Sequence, residues 1–533
     1  MPAATPPLGV TPMTVVDEPL SFRASPREQI VALRRADGRQ RRAMASGWAG
    51  YWIDMVDVYL PVVALAPAIA YFQPASVSGD LASVLFIGTF AATMLGRPIG
   101  ALLFGQLADR LGRRRLTLVS VAGFSTCTAA IGLLPGYAAW GALAPALLVG
   151  LRFVNGVFLG GEYSAGTPLA FEHCPPRARG LLGGLLLGAY TLAYVFISLV
   201  VLAVLALAPA GGATSPYVQW GWRVPFLLGA GLGFALLLLR ARVPESDVWQ
   251  HTPKVDRPLR ALAHGTLRRD LTQVLLLMTG LWLMSGSVVS VMPRLLLTEY
   301  DTSPAAVTWA LLAANIVLFL TFVGVGMVSQ VIGRRRVLLG GAVVAVVLGL
   351  PAYAVVAHAR IGIASVFALV ALVHVLVVGA WGAASSYCNE RFPTAVRSSG
   401  FGIGYSLSLV LPSLSAFYLA GLGQVMPFEY TQLVLLAVGA GLLAAGATRG
   451  PETCSVDLME LDVLRHARSP DLPVQRNAPA SPPSRSWPCD SGVPGGLPGD
   501  EDRGPQPKRS VTARETSGGD VTADPALRLG DLT

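Results

Sequence analysis

The sequence has little charge and almost no lysine. Asp, Glu, Lys and Arg make up 13% of its 533 residues, where a typical soluble domain carries about 25%. Hydrophobic residues make up 53% and the mean hydropathy is +0.56, too apolar for a water-soluble fold of this length. Lys254 and Lys508 are the only lysines and neither follows a glycine. A phosphate-cradling G-x-x-x-x-G-K-[ST] loop is therefore excluded, and with it ATP hydrolysis as an energy source. The five cysteines (Cys127, Cys174, Cys388, Cys454, Cys489) lack metal or redox spacing, so neither a metal nor a cofactor is expected. The glycine patches at Gly229 and Gly400 lie inside apolar runs with no βαβ unit, which rules out a dinucleotide fingerprint. The first 43 residues have no leading apolar core, so no secretory signal is expected and the first long apolar run is the targeting element. The formal charge of +9 is spread over loops and tails rather than one amphipathic face, and no nucleic-acid partner is expected.

What is present is a succession of apolar runs, each near the roughly 20 residues that cross a bilayer as a helix. They fall near 47–72, 82–106, 116–135, 140–168, 180–208 and 222–241, then near 272–293, 305–330, 337–357, 362–386, 398–421 and 427–448. This gives an all-α membrane protein of twelve transmembrane helices in two six-helix repeat bundles. The expected organisation is an irregular N-terminal segment (1–44), one bundle (45–243), a linker (244–270), a second bundle (271–450) and a disordered tail (451–533), whose Pro, Gly, Ser and charge leave little to pack. Arginine clusters in alternate loops: Arg110, Arg113, Arg114, Arg115, Arg177, Arg179, Arg334, Arg335, Arg336, Arg391 and Arg397 fall on one side, and only Arg360 within the loops of the other. Short cytoplasmic loops carry the Arg/Lys excess, so a multi-pass protein of the cell membrane with both termini cytoplasmic is expected.

The most informative stretch is Gly105–Arg115, GQLADRLGRRR, between the second and third runs. So basic a cluster marks a short turn outside the hydrocarbon, and Asp109 offers an acceptor to the neighbouring guanidinium groups. The stretch resembles the loop signature of the major facilitator superfamily, and the resemblance extends from about Gly47 to Thr453. Arg97-Pro-Ile-Gly100, the run Arg152 to Glu162, Glu172 to Gly180 and Gly221-Trp-Arg-Val-Pro-Phe226 are similar to the metabolite:proton symporters, with the sugar porters as near relatives. Where that branch has Glu-Trp-aromatic-Asp in its first helix, this chain reads Asp54-Met55-Val56-Asp57. Both acids are kept and the aromatic pair is missing.

The two halves repeat one another. Gly112-Arg113-Arg114 recurs as Gly333-Arg334-Arg335, Glu172 with Arg179-Gly180 as Glu390 with Arg397, and Pro244-Glu245-Ser246 as Pro451-Glu452-Thr453. Transporters built from such repeats bind substrate near the midplane where the halves meet. Gln330 stands where the first copy has Asp109, which predicts a weaker loop network in the second half.

Ionisable groups at membrane depth are costly and usually functional. Asp54 and Asp57 share one helical face, and two close carboxylates resist carrying charge together, which suits reversible protonation; a structural salt bridge is the plain alternative. Glu162 on the fourth run is a second candidate proton site. Arg152 and Glu162 do not share a face at 100° per residue, so Arg152 pairs either with an anionic substrate or with an acid on another helix. Arg97 and His374 read as structural. The resemblance further implies a cytoplasmic gate: Asp109, Arg113, Glu172 and Arg179 as one set, Arg334, Glu390 and Arg397 as its repeat, with Glu245 and Glu452 placed to join.

Together these features imply no enzyme. They imply a secondary active transporter that moves a small polar metabolite (an organic acid, compatible solute or similar) across the lipid bilayer by alternating access, functional as a monomer, with the proton as coupling ion. Export of drugs or metabolites, or a non-transporting membrane sensor, are the alternatives.

Overall fold

In hydrocarbon every backbone N–H and C=O must find a partner within the protein, and an apolar chain does this most simply as a helix. The computed structural model of the protein describes residues 22–74, 79–289, 292–298, 300, 302–358 and 362–458, all of which fall in one compact unit. Among them, eleven helices are long and apolar enough to cross a membrane: Gly38–Phe72, Arg113–Gly132, Leu143–His173, Pro176–Leu207, Tyr217–Ala241, Gly265–Val289, Ala305–Ile332, Arg334–His358, Ile363–Arg391, Thr394–Leu422 and Tyr430–Arg449. The 33-residue helix Gly79–Leu111 lies between the first two. With it there are twelve in two sixes, numbered here helix one to helix twelve in chain order.

Proline disturbs helix one as it must, because it lacks the N–H that an α-helix needs. The α-helix runs to Tyr59 and the chain continues as a π-turn over Leu60–Leu65, with Pro61 inside it, and a 3-10 segment over Ala66–Phe72. Small residues set the packing. Added side chains at Gly96 and Gly100 of helix two would strike the backbone of Phe153 and Val157, and at Gly156 and Gly160 of helix four that of Thr93 and Arg97. Those two helices therefore cross with backbones nearly touching. Helices five and eight meet in the same way across the two halves, at Gly180, Gly184 and Gly326.

Three connecting segments are more ordered than composition suggests. Within the segment expected to be irregular, residues 22–44 carry a short helix, Pro26–Arg35, and then the start of helix one at Gly38. Each begins in a reciprocal capping box, Ser25 with Glu28 and Asp37 with Gln40, which satisfies the first free N–H groups. The linker holds two short helices, Asp247–His251 and Pro258–Leu262, and helix seven starts at Gly265, inside the range assigned to the linker. At the other end, residues 451–458 are fixed and not part of a loose tail. Thr453 donates to Glu390 (2.8 Å), Cys454 to the Gln330 carbonyl (3.3 Å), and Arg179 to the Val456 carbonyl (2.8 Å). Residues 459–533, the rest of the expected tail, and residues 1–21 lie outside the described residues.

Candidate functional site

Helix one carries Asp54 and Asp57 into the interior of the first half, where both are buried. Although one turn apart, they take different partners. Arg97 of helix two donates to Asp54 at 3.0 Å. Arg152 of helix four donates to the Asp57 carboxylate at 3.2 Å and to its backbone carbonyl at 3.3 Å. Arg152 thus meets an acid on another helix, one of its two alternatives. Thr128 of helix three donates to the other Asp57 oxygen, and Asn155 donates to that threonine at 3.0 Å. Asp57 is fully hydrogen-bonded, whereas Oδ1 of Asp54 has no partner. Glu162 pairs with Arg240 of helix six, wedged against Gly50 and Gly166, whose Cβ positions it and the guanidinium occupy. Sequence reading did not single out Arg240. It ends an apolar run, where an arginine reads as a snorkelling head group, yet it is 1% exposed. His374 bonds the Val370 carbonyl one turn back at 2.8 Å and takes no part in these pairs.

Beside Asp54 the halves meet through aromatic rings, a second feature the sequence reading missed. Tyr51 of helix one and Tyr405 of helix eleven share a hydrogen bond of 3.1 Å. Tyr163 of helix four lies against Tyr405 and Phe401, with ring centroids 3.8 and 4.9 Å apart. Trp282 of helix seven donates to the Tyr405 carbonyl at 3.2 Å and stands edge-on to Trp381 of helix ten. Tyr59, Tyr190 and Tyr194 form a further half-buried group with centroids 5.2–5.5 Å apart. Rings contributed by both halves, next to buried acid–arginine pairs, can hold the apolar body and the cationic end of a small solute on their π faces.

The loop end is an ion-pair network that crosses between halves. Glu172 forms an ion pair with Arg113 at 3.1 Å and accepts a hydrogen bond from Arg397 of the second half at 2.7 Å. Arg113 also reaches Asp109 (3.5 Å) and the Thr394 carbonyl of the second half (2.7 Å). Asp109 accepts from the backbone of Ser398 and Ser399 and the Ser399 hydroxyl, at 2.7–3.0 Å. It therefore caps the start of helix eleven, where the helix dipole favours a negative charge. In the second half Arg334 holds Glu390 through two bonds of 3.2 and 3.3 Å.

The set expected from the repeats needs one exchange. Arg397 belongs with Glu172 rather than with Arg334 and Glu390, and Arg179 belongs with the second half, bonding Val456 and lying close enough to Glu390 to feel its charge. Glu245 and Glu452 join as helix caps. Glu245 accepts from the backbone N–H of Arg114 (3.0 Å), Glu452 from those of Arg334 and Arg335 (2.7 and 3.2 Å). Each approaches through a glycine with positive φ, Gly112 (108°) and Gly333 (109°), where a side chain would also strike the carboxylate.

Gln330 does not leave a weaker copy. Its amide oxygen accepts from the Gly180 N–H at the start of helix five (2.8 Å) and from Arg334 (2.5 Å). Its amide nitrogen donates to the Phe22 carbonyl (2.6 Å). An aspartate can only accept; the glutamine adds a donor and ties down the N-terminal segment, which Gln29 fastens again through the Met327 carbonyl (2.9 Å). Over this network lies Trp249 of the linker, donating to the Asp109 carbonyl at 2.9 Å, with the Lys254 ammonium 3.4 Å above its ring. Partial burial, and then Arg113, push Lys254 down to about 8.

A double six-helix bundle closed at one end by paired charges, with polar and aromatic groups between its halves, is the architecture of a multi-pass membrane transporter. The chain belongs to the major facilitator superfamily, whose sequence profile matches residues 47–416; its members of this fold are transporters, not enzymes. Among curated proteins it is 32% identical to the ectoine/proline transporter ProP of Corynebacterium glutamicum over 391 residues, 68% of this chain and 75% of that one. It is 30% identical to the inner membrane metabolite transport protein YhjE of Escherichia coli K12 over 77% of this chain and 92% of that one, and 27% identical to that organism's proline/betaine transporter over 76% and 82%. Among solved structures, that of the proton:xylose symporter XylE bound to 6-bromo-6-deoxy-D-glucose has the same fold, with a TM-score of 0.66 at 16% identity over 80% of this chain and 99% of that one.

Proposed function

We propose that this chain is a secondary active transporter of the cell membrane, both termini cytoplasmic, acting as a monomer, that carries a small zwitterionic metabolite of the compatible-solute class together with protons. The observation that carries this reading is the joining, on one helix, of Tyr51 at the aromatic contact between halves to the buried pairs Asp54–Arg97 and Asp57–Arg152. Aromatic faces suit a quaternary or ring-held cationic nitrogen, and a guanidinium suits a carboxylate. The names of relatives that move ectoine, proline and betaine support the same class.

Charge balance gives the coupling. A buried guanidinium needs an anion. With Asp57 ionised, Arg152 has one. Protonation of Asp57 removes it, and the substrate carboxylate takes its place, so proton and substrate complete the site only together. The loop-end network, with Glu172 gripped from both halves, acts as the inner gate, closing when the site faces outward. The test is uptake into proteoliposomes under an imposed pH gradient, with labelled betaine, proline and simple organic acids offered in parallel. Accumulation of at least one that collapses with the gradient supports the reading; extrusion only, or binding without flux, overturns it.

A further inference from the structure

At the loop end of helix two lies a cleft that the transport reading does not use. It has a volume of about 610 Å³ and is lined by Gln106 and Arg110 of helix two and by Asp256, Arg257, Leu259 and Arg260 of the linker. Three arginines face one carboxylate, and among the described residues none of the three makes an ion pair. Below the cleft, helix two presents Leu95, Ile99, Leu102, Leu103, Leu107 and Leu111, all large apolar side chains exposed at the protein surface. Spacings of three and four put Leu95, Ile99, Leu103 and Leu107 in one stripe that leads up to Arg110. The linker helix Pro258–Leu262 packs on helix two of the first half and also on the start of helix eleven in the second.

We infer that this cleft is a binding site for the phosphate head group of an anionic phospholipid, whose acyl chains lie along the exposed stripe of helix two. Clustered cationic groups at the membrane surface recognise such head groups, and guanidinium forks grip phosphate oxygens two at a time. Gln106 adds a neutral donor. A free phosphate satisfies the same arginines but gains nothing from the stripe; the continuity of the two features assigns the lipid. Because the cleft is walled by helix two on one side and by a linker helix that leans on helix eleven on the other, an occupied cleft ties the two halves at the end that the Glu172 network also closes. The lipid is thereby a stabiliser of the loop-closed state.

The test uses the full-length chain purified in detergent, with thermal unfolding followed as phosphatidylglycerol, phosphatidylcholine or inorganic phosphate is added. Phosphatidylglycerol is expected to raise Tm and phosphatidylcholine to leave it unchanged. In R110Q/R257Q/R260Q the phosphatidylglycerol needed for half the shift should rise about a hundredfold, from three lost charges. R34Q/R35Q/R242Q, which removes three exposed arginines elsewhere at this end, should keep the wild-type response. If the first triple variant does not fold, R257Q/R260Q, which changes two exposed side chains at the cap and on the surface of the linker helix, gives the same reading with a smaller displacement. Equal loss in both triple variants means diffuse surface charge and overturns the site. The full shift from inorganic phosphate alone overturns the lipid assignment, and an unshifted wild type overturns the proposal altogether.

Discussion

Arg397 of the second half donates to Glu172 of the first at 2.7 Å, and the same carboxylate oxygen forms an ion pair with Arg113 of its own half at 3.1 Å. One buried glutamate therefore holds two guanidinium groups that belong to opposite sides of the interface between the halves. Removing one partner of a buried pair leaves an uncompensated charge and costs about 3–5 kcal/mol. Glu172→Gln is expected to fall in that range in denaturant unfolding in detergent, and to expose cysteines introduced at the loop end. Wild-type stability together with wild-type labelling would reduce the network to an anchor.

Asp109 makes a finer test of the same end. Its two oxygens accept three bonds from Ser398 and Ser399. An asparagine offers one oxygen and no charge to the helix dipole, so Asp109→Asn should insert normally, transport more slowly, and label faster at cysteines introduced at the loop end. The expected loss is about 1–2 kcal/mol for the cap, read from the shift in unfolding midpoint.

Gln330→Glu keeps size and shape but removes the amide donor to the Phe22 carbonyl. A carboxylate oxygen then faces the carbonyl oxygen of Phe22, and the N-terminal segment should loosen. Trypsin cleavage at Arg23 and Arg27 in the folded protein is expected to quicken, with cleavage within the bundles unchanged. An unaltered digestion rate would show that Gln29 alone suffices to fix the segment.

Lys254 supplies a pH signature outside the membrane. Its folded value, about 8, lies below its ordinary 10.5, so the fold disfavours the charged form. The penalty is complete below pH 8 and is relieved as pH rises toward 10.5. Stability should therefore gain from this group across that window. Lys254→Met should flatten the rise in Tm between pH 8 and pH 10; an unchanged slope would assign the rise to other groups. Since the side chain is partly exposed, the contribution is modest.

How much of this was legible in the sequence follows from how local each signal is. Helix positions and the arginine-bearing loops were legible because hydropathy and loop charge are properties of short stretches. The capping boxes at Ser25 and Asp37 are equally local, and the pattern S/D-x-x-E/Q was there to be read. The partnership of Arg397 with Glu172 was not legible, because repeat symmetry pairs each residue with its own half while the folded halves exchange partners across the interface. Arg240 was hidden by its place at the end of an apolar run. Tyr51 and Tyr405 meet only when helices one and eleven are brought together, and nothing in either stretch marks the contact. Gln330 was misread as a loss because charge was counted and donor capacity was not.

In the proposed mechanism proton and substrate complete one site through Asp57 and Arg152, which are paired in this structure. Asp57→Asn fixes that side chain in its uncharged form. Paired assays on the variant in proteoliposomes measure substrate exchange without a gradient and accumulation under a pH gradient, with Glu162→Gln as the control because Glu162 is paired with Arg240. Asp57→Asn is expected to retain exchange and lose gradient-driven accumulation, while Glu162→Gln should not separate the two. Full proton-driven accumulation by Asp57→Asn, or separation of the two activities by Glu162→Gln instead, would contradict that mechanism.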